Sequence, residues 1–209
     1  MRPFAGIVAV GLLTTAGGLM TTGCGDDSES LGPEEIVEEE PVGFTTPDEA
    51  IAGVAAAWEG LDLQAMEEVL ASDFKFHIRD DEAADFPWLA TPWWGRAEEL
   101  GFAANMFDPN FTGENPPVQS IEFQYNVLAS NESQPGTHDV TIDATITVLT
   151  GPADGWRADT RFLLKVTEQP DGFFLLSEMK EVLKLDPAGR GASSSMESST
   201  WGQIKGLYR

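Results

Sequence analysis

Apolar residues recur every three or four positions in the first half of the sequence, which is the spacing of one face of an α-helix. The segment Thr46-Pro47-Asp48-Glu49 supplies an N-cap, a proline at the first helical position and the glutamate of a capping box. We therefore predict a first helix that begins after Thr46 and ends at Gly60. Asp62 is suited to cap a second helix, Ser72-Asp73 is predicted to end it, and the alternation in residues 74–78 predicts a short strand.

The second half of the sequence alternates polar and apolar residues with the period of two that is typical of half-buried strands. A third helix is predicted after Trp93-Trp94-Gly95, and the four strands that follow are 118–128, 138–149, 157–168 and 173–182. The turn segments between these strands are short, and short connections imply an antiparallel meander. The predicted fold class is therefore α+β, with helices packed on an antiparallel sheet.

The first 23 residues have the pattern of an export signal. Arg2 forms a short basic region, residues 4–20 are apolar or small, and Thr21-Thr22-Gly23 precedes Cys24. A lipoprotein signal peptidase needs small residues before the cysteine that receives the lipid, although the leucine usual at the position of Thr21 is absent. We predict cleavage before Cys24 and a lipid anchor on that cysteine. An ordinary secretory signal or an uncleaved anchor helix is the alternative.

The stretch after Cys24 has the composition of a tether. Residues 25–43 hold eight acidic residues and no basic residue, so we predict a disordered acidic tether over residues 24–44. The folded domain is predicted to occupy residues 45–185. Residues 186–209 are predicted to form a serine-rich linker and a short amphipathic helix that docks on the domain or on a partner. The apolar residues of that helix are Trp201, Ile204, Leu207 and Tyr208.

The formal net charge of -23 disfavours binding to nucleic acid, because an acidic surface repels phosphate backbones. A single cysteine forms no internal disulfide and no zinc cluster. The acidic loop with Asp80, Asp81, Glu82 and Asp85 lacks the ligand spacing and the turn glycine of an EF-hand, so we interpret it as a solvated loop. We predict no metal and no cofactor.

The order of elements resembles the nuclear transport factor 2-like (NTF2-like) superfamily, and its SnoaL-like branch in particular. The matching stretches are the first helix with Trp58, residues 66–74, the Trp94-Gly95-Arg96 entry to the third helix and the meander to Val182. The resemblance implies a cone in which a curved antiparallel sheet wraps around the helices, with an apolar pocket at the open end. Residues placed in that pocket are Trp58, Phe76, Trp94, Tyr125 and Phe162.

Enzymes of this superfamily use an acid or a base inside the cone, where burial tunes its pKa. Asp143 is a candidate base, but its strand neighbours form a face that looks solvated. Tyr125 is a candidate oxyanion donor, although it also fits a core tyrosine at the pocket mouth. His77 faces opposite to Phe76 and fits a rim or surface histidine. An enzyme would bring together at least two of Asp143, His77, His138, Tyr125 and Arg161 inside the cone.

Three tryptophans lie close together in sequence near the acidic loop: Trp88, Trp93 and Trp94. They suit the mouth of a pocket or a partner interface, and they equally suit core packing around the third helix.

The sequence favours an exported, lipid-anchored envelope protein on the periplasmic or outer-surface face of a membrane. Its domain is expected to be non-catalytic and to bind a small apolar ligand or an envelope partner, and no buried ionisable pair is expected. The alternative is a SnoaL-like isomerase or hydrolase acting on a small hydrophobic substrate in the pocket. A homodimer through the sheet is a further expectation.

Overall fold

The computed structural model describes residues 43–182 and 196–209 of the 209-residue chain. The predicted signal peptide, Cys24, most of the predicted tether and most of the serine-rich linker lie outside the described residues. Within the described ranges, no helix is long and apolar enough to span a membrane.

Four α-helices are described: α1 (Pro47–Gly60), α2 (Leu63–Val69), α3 (Arg96–Phe107) and α4 (Trp201–Gly206). The capping box that opens α1 is formed as predicted, since the side chains of Thr46 and Glu49 accept each other's backbone N–H groups. The predicted end of the helix at Gly60 is confirmed, and Leu61 caps it. Leu61 takes the left-handed conformation with φ 50° that glycine usually supplies, because its N–H bonds to the last turn while its side chain packs against the core.

Seven β-strands follow in chain order: β1 (Leu70–His77), β2 (Trp93–Gly95), β3 (Ser120–Gln134), β4 (Thr137–Leu149), β5 (Gly155–Glu168), β6 (Phe174–Val182) and β7 (Glu197–Ser198). They form one curved sheet with the order β2-β1-β6-β5-β4-β3, and β7 pairs with β5. The predicted antiparallel meander from β3 to β6 is confirmed. β1 runs parallel to β6, a pairing that local patterns do not reveal.

Two strands, β1 and β3, extend several residues beyond their predicted bounds. β1 begins at Leu70, directly after α2, so Ser72-Asp73 lies inside the strand rather than in a break. The β3–β4 hairpin extends through the predicted turn at residues 131–136, and the actual turn lies beside Gly136, whose φ is 72°. Only glycine adopts that conformation without strain, so the turn forms there.

The helices cover one face of the sheet, here called the inner face, and the other face is the outer face. Side chains on the inner face are mostly apolar and buried, whereas most of the charged side chains of the sheet lie on the outer face. The inner set includes Phe76, Ile142, Phe162 and Met179. The outer set includes Lys75, Asp143, Arg161, Lys165 and Glu178. This alternation is the expected result of a strand period of two with one buried face.

The folded domain already includes Phe44, which falls in the predicted tether. The carbonyl oxygen of Phe44 accepts a 2.8 Å hydrogen bond from Phe174 N, and the Phe44 ring packs against the core. The start of β6 therefore holds the chain in place just before α1.

Candidate functional site

The short helix α4 is locally well specified. Thr200 accepts a hydrogen bond from Gln203 N, and the Gln203 side chain accepts one from Thr200 N, which completes a capping box. Trp201, Ile204 and Tyr208 are fully buried against the domain, so the docking of this helix on the domain is observed. Leu207, predicted on the same apolar face, is 39% exposed, and Lys205 takes its place in the buried set.

Lys205 is fully buried and ends between a carboxylate and two aromatic rings. Its Nζ lies 2.8 and 2.9 Å from the two carboxylate oxygens of Glu99. The same Nζ lies 3.4 Å from the ring centroid of Phe76 and 4.9 Å from that of Trp94, which are cation–π distances. Burial lowers the pKa of Lys205 to about 8, and the neighbouring Glu99 opposes that shift. The side chain is therefore mostly protonated at neutral pH.

Glu99 is held in place by the domain itself. Trp94 Nε1 donates a 2.6 Å hydrogen bond to Glu99 Oε2. Trp94 is fixed in turn by stacking on Phe76, with ring centroids 4.5 Å apart, and by an edge contact with Phe102 at 5.2 Å. The carboxylate and its aromatic wall thus belong to α3, β1 and β2, and only the ammonium group comes from α4.

Two further buried glutamates receive the start of α4. Glu181, on the inner face of β6, accepts hydrogen bonds from Trp201 N at 3.0 Å and from Gly202 N at 2.9 Å. Glu82 accepts one from Thr200 Oγ1 at 3.0 Å, and burial raises the pKa of the Glu82 carboxyl. Together with Glu99, these residues form what is here called the glutamate cradle. A negative cradle suits the positive end of a helix and a lysine.

Trp201 fills the remaining space beside the cradle. Its ring packs edge-on against Trp58, with centroids 4.9 Å apart. The Nε1 of Trp201 is buried and finds no acceptor among the residues that the structure describes. A buried donor without a partner costs about 1–3 kcal/mol, so the fit of α4 is good in shape but incomplete in hydrogen bonding.

The centre of the inner face is nearly filled. The remaining cavity offers about 10 Å³ to the centre of a water molecule, which is room for about one water. Its lining is entirely apolar: Ile51, Val54, Phe123, Ile142, Leu164, Leu176 and Met179. While α4 is docked, a ligand the size of a metabolite has no place here.

Four of the residues predicted to line a pocket lie on the inner face of the sheet, and Trp58 lies on α1, which packs against that face. Trp58, Phe76, Trp94 and Phe162 are buried, whereas Tyr125 is half-buried. The structure brings Trp58, Phe76 and Trp94 together around α4, through Trp201 and Lys205. Phe162 of β5 and Tyr125 of β3 instead pack against Phe123 of β3.

The candidate catalytic residues do not converge on the inner face. Asp143 and Arg161 do meet, with Arg161 Nε 2.8 Å from Asp143 Oδ1, but they pair on the outer face. Tyr125 lies on the inner face, where burial and the nearby Asp48 raise the pKa of its hydroxyl. No carboxylate or histidine of the predicted set joins Tyr125 there.

The two histidines lie apart from each other and from Tyr125. His77 is on the outer face of β1, where burial lowers its pKa although Glu178, 4.0 Å away, raises it. His138 packs edge-on against Phe174, with ring centroids 5.6 Å apart. It lies six residues along β4 from Ala144, the partner of Tyr125, which corresponds to about 20 Å. Of the predicted rim or surface position, the structure shows a position on the outer face of the sheet.

The tryptophan cluster resolves into two environments. Trp94 packs against Phe102 of α3, and Trp88 lies 6.3 Å from Trp94, so both contribute to packing around the third helix. Trp93 lies on the outer side, where Lys75 Nζ is 5.1 Å from its ring centroid. The core alternative therefore holds for Trp94 and Trp88.

The acidic loop contains a 3-10 helix over Asp80–Asp85. Its interpretation as a solvated loop is wrong for Glu82, which is buried because Arg79 and Thr200 satisfy its oxygens. Within residues 43–182 and 196–209, no group of three or more His, Cys, Asp or Glu residues is arranged to hold a metal ion.

The charged residues of the site, Glu99, Glu181 and Lys205, are not among the residues predicted from the sequence. The expectation that no buried ionisable pair exists is wrong, because Lys205 and Glu99 form one. Glu99 lies three positions before Phe102, so helical spacing alone places it on the buried face of α3. Glu181 lies two positions after Met179, so strand alternation places it on the inner face.

The α+β arrangement, with helices on one face of a curved sheet, is similar to that of solved NTF2-like proteins. No protein-family model matches the sequence, and no curated protein sequence matches it.

Solved structures superpose on about two thirds of the chain. An NTF2-like protein of unknown function in nutrient uptake from Rhodospirillum rubrum has a TM-score of 0.47 and 13% identity, covering 65% of this chain and 96% of that one. ActVI-ORFA from Streptomyces coelicolor has a TM-score of 0.46 and 11% identity, covering 64% and 90%. A conserved protein from Planctomyces limnophilus has a TM-score of 0.47 and 11% identity, covering 65% and 94%. Likeness at this level carries no information about activity.

Proposed function

We propose that this chain is a lipid-anchored protein of the cell envelope whose NTF2-like domain is a non-catalytic binding module. Its ligand or envelope partner occupies the space in which α4 now lies, and the docked helix is the closed state of the module. The observation that carries the proposal is the position of Lys205, fully buried between Glu99 and Phe76. The side chain of Lys205, on the short helix α4, fills the site as a ligand would.

The anchor is supported by the sequence. Small residues precede Cys24, the only cysteine of the chain, and an acidic stretch without a basic residue follows it. Lipid on Cys24 would hold the domain at the membrane surface, and the acidic tether would keep it away from anionic headgroups. The envelope location, on the periplasmic or outer-surface face, is part of the same proposal.

The non-catalytic role is supported by the state of the inner carboxylates. Glu99 accepts hydrogen bonds from Lys205 and Trp94, and Glu181 accepts two from the start of α4. A general base needs an oxygen within reach of a substrate proton. In the docked state, both carboxylates are buried and engaged by the chain itself.

The alternative is a SnoaL-like isomerase or hydrolase acting on a small hydrophobic substrate. One observation favours it: Glu99 and Glu181 are buried carboxylates on the side of the sheet where enzymes of this superfamily place their acid or base. Release of α4 would expose both. Substrate turnover by the protein that disappears in Glu99→Gln or Glu181→Gln would replace the binding-module proposal with this one.

A homodimer through the outer face of the sheet is the remaining partner proposal. Leu163 is 43% exposed there among charged side chains. Size-exclusion chromatography with light scattering on the purified protein decides it, and a monomer that persists at high concentration removes it.

The binding proposal is tested by undocking α4 with Trp201→Ala/Ile204→Ala in the full chain. The matched control is Leu207→Ala, which changes an exposed side chain close to the same helix. The uncharged apolar dye Nile red should bind the double variant with defined stoichiometry, and bind wild type and the control only weakly. Circular dichroism confirms the fold. A folded double variant that binds no more dye than the control would refute a usable space under α4.

The anchor is tested separately in cells. A fatty-acid probe should label the wild-type chain and leave Cys24→Ser unlabelled. Equal labelling of the two chains would remove the lipid from the proposal and leave the binding module unaffected.

A further inference from the structure

The receiving half of the Lys205 site is complete without α4. Phe76 and Trp94 stack on each other, and Trp94 Nε1 fixes the carboxylate of Glu99 at 2.6 Å. All three residues are buried. Their positions are set by β1, β2 and α3, so this half of the site does not depend on α4 for its geometry.

The chemistry of this half-site selects a cation on an apolar stem. An aromatic face attracts an ammonium group through its quadrupole, and a desolvated carboxylate attracts it through charge and hydrogen bonds. Lys205 supplies both parts, because its four-carbon chain is buried and its Nζ meets Glu99 and Phe76. Neither an anion nor a purely apolar molecule would satisfy Glu99.

Two features of the docked helix α4 are energetically unfavourable. Burial removes water from the Lys205 ammonium, and the pKa of that group is lowered to about 8 as a result. Trp201 Nε1 has no acceptor among the described residues. In addition, α4 has only six residues, too few for a helix to be stable without its docking contacts. The unsatisfied Trp201 donor and the short length of α4 favour exchange of α4 for another occupant, whereas the desolvation cost applies to any ammonium group in this place.

We propose that the pocket formed by Phe76, Trp94 and Glu99 is a binding site for a primary ammonium group on an unbranched alkyl chain. Lys205 is its built-in competitor: the site is closed when α4 supplies the ammonium and open to a ligand when α4 is released. This inference rests on the proposed binding function and names the chemical class of its ligand.

The first test uses the wild-type full chain and measures competition. The backbone N–H groups of Ile204, Leu207 and Tyr208 are hydrogen-bonded in the docked state. Hydrogen exchange at these amides should become faster as n-butylammonium is added, because the ligand takes the place of Lys205. n-Butanol, with the same stem and no charge, and sodium chloride at equal ionic strength should leave the rates unchanged.

The second test removes the competitor with Lys205→Ala in the full chain. n-Butylammonium should bind this variant roughly tenfold or more tightly than wild type and raise its melting temperature, since apparent affinity falls with the fraction of molecules whose site is open and Lys205 closes the site in wild type. The double variant Glu99→Gln/Lys205→Ala should lose that binding. The control variant Glu178→Gln/Lys205→Ala, altered on the outer face, should keep it.

Two outcomes overturn the proposal. One is a folded Lys205→Ala chain that binds n-butylammonium and n-butanol equally. The other, which decides the case if Lys205→Ala does not fold, is wild-type exchange at α4 that n-butylammonium does not accelerate. If Nile red still enters the Trp201→Ala/Ile204→Ala variant, the binding module stands and only its ammonium selectivity is lost.

Discussion

The ammonium nitrogen of Lys205 lies 2.8 Å from Glu99 Oε1, although 106 positions separate the two residues in the chain. The pair is almost completely shielded from water, with side-chain exposures of 0% and 2%. Coulomb attraction is strong in such surroundings, and so is the cost of leaving either charge alone. The docking of α4 is thereby tied to one interaction with α3.

We expect Lys205→Met to destabilise the protein by about 3–5 kcal/mol, because methionine fills a similar volume but leaves the Glu99 carboxylate buried without its counter-charge. Urea unfolding at pH 7 measures the change. The double variant Glu99→Gln/Lys205→Met should cost less than the sum of the single variants, since the glutamine carries no charge and still accepts from Trp94. Additive costs would contradict the ion pair as the source of the effect.

The stability of the wild type should depend on pH through Lys205. The folded pKa of about 8 lies below the ordinary value of 10.5, so above pH 8 the unfolded chain binds a proton that the folded chain has released. The free energy of unfolding should therefore rise between pH 8 and 10 relative to Lys205→Met, by up to about 3 kcal/mol. The comparison is limited to pH 8–10 because of Tyr208, whose pKa is raised to about 12 by burial. Above pH 10 the unfolded chain loses the Tyr208 proton more readily than the folded chain, so stability falls.

Glu99 of α3 and Glu181 of β6 are the acids that face Lys205 and oppose the lowering of its pKa. Glu181→Gln removes one of these negative charges and should lower the pKa of Lys205 further. The rise in the free energy of unfolding should therefore begin at a lower pH. A difference curve between wild type and Lys205→Met that is flat from pH 8 to 10 would contradict a lowered pKa for Lys205.

Glu181→Gln should loosen α4 while leaving the sheet intact. The amide nitrogen of glutamine cannot accept a hydrogen bond, so either Trp201 N or Gly202 N loses its partner. Hydrogen exchange in α4 should become roughly tenfold faster or more. The control Glu178→Gln lies on the outer face of the same strand and should leave α4 unchanged. Equal effects of the two variants would refute a specific role of Glu181.

His77 should titrate below pH 6.5, because burial disfavours its charged form. Stability attributable to this residue is present at neutral pH and is lost as the pH falls through the lowered pKa. The ring resonances of His77 in NMR spectra give the midpoint directly. Glu178→Gln should lower the midpoint further, since the Glu178 carboxylate raises it. A midpoint at or above 6.5 would reopen His77 as a base for neutral pH.

Local patterns were sufficient for most of the fold. The capping box at Thr46, the N-cap at Asp62 and the period of two from β3 to β6 each depend on residues close in sequence. The parallel pairing of β1 with β6 depends on residues far apart, and no short pattern encodes it. The same limit applies to the start of β1, where Leu70 pairs with Leu176 of β6 before a shift in register.

The candidate site was only half predictable. The aromatic residues Phe76 and Trp94 follow from the resemblance and from burial patterns, but the charges between them do not. Considered one at a time, Glu99 and Lys205 are expected at the surface, because a buried charge is tolerated only beside a partner of opposite charge. The contact between them depends on the tertiary structure. Each residue nevertheless lies on the apolar face of its helix, and that position could have predicted its burial.

The parallel alignment of β1 with β6 has a consequence for how the chain folds. Leu70 lies opposite Leu176, more than a hundred positions away, whereas the β3–β6 meander forms between near neighbours. Closing so long a loop is entropically costly, and contacts of this range slow folding. The edge of β6 then stays unpaired while β1 is absent, with Phe74 and Phe76 still in water. We therefore expect the pairing of β1 with β6 to be a late step of folding, and we expect chains that have not yet formed it to aggregate most readily.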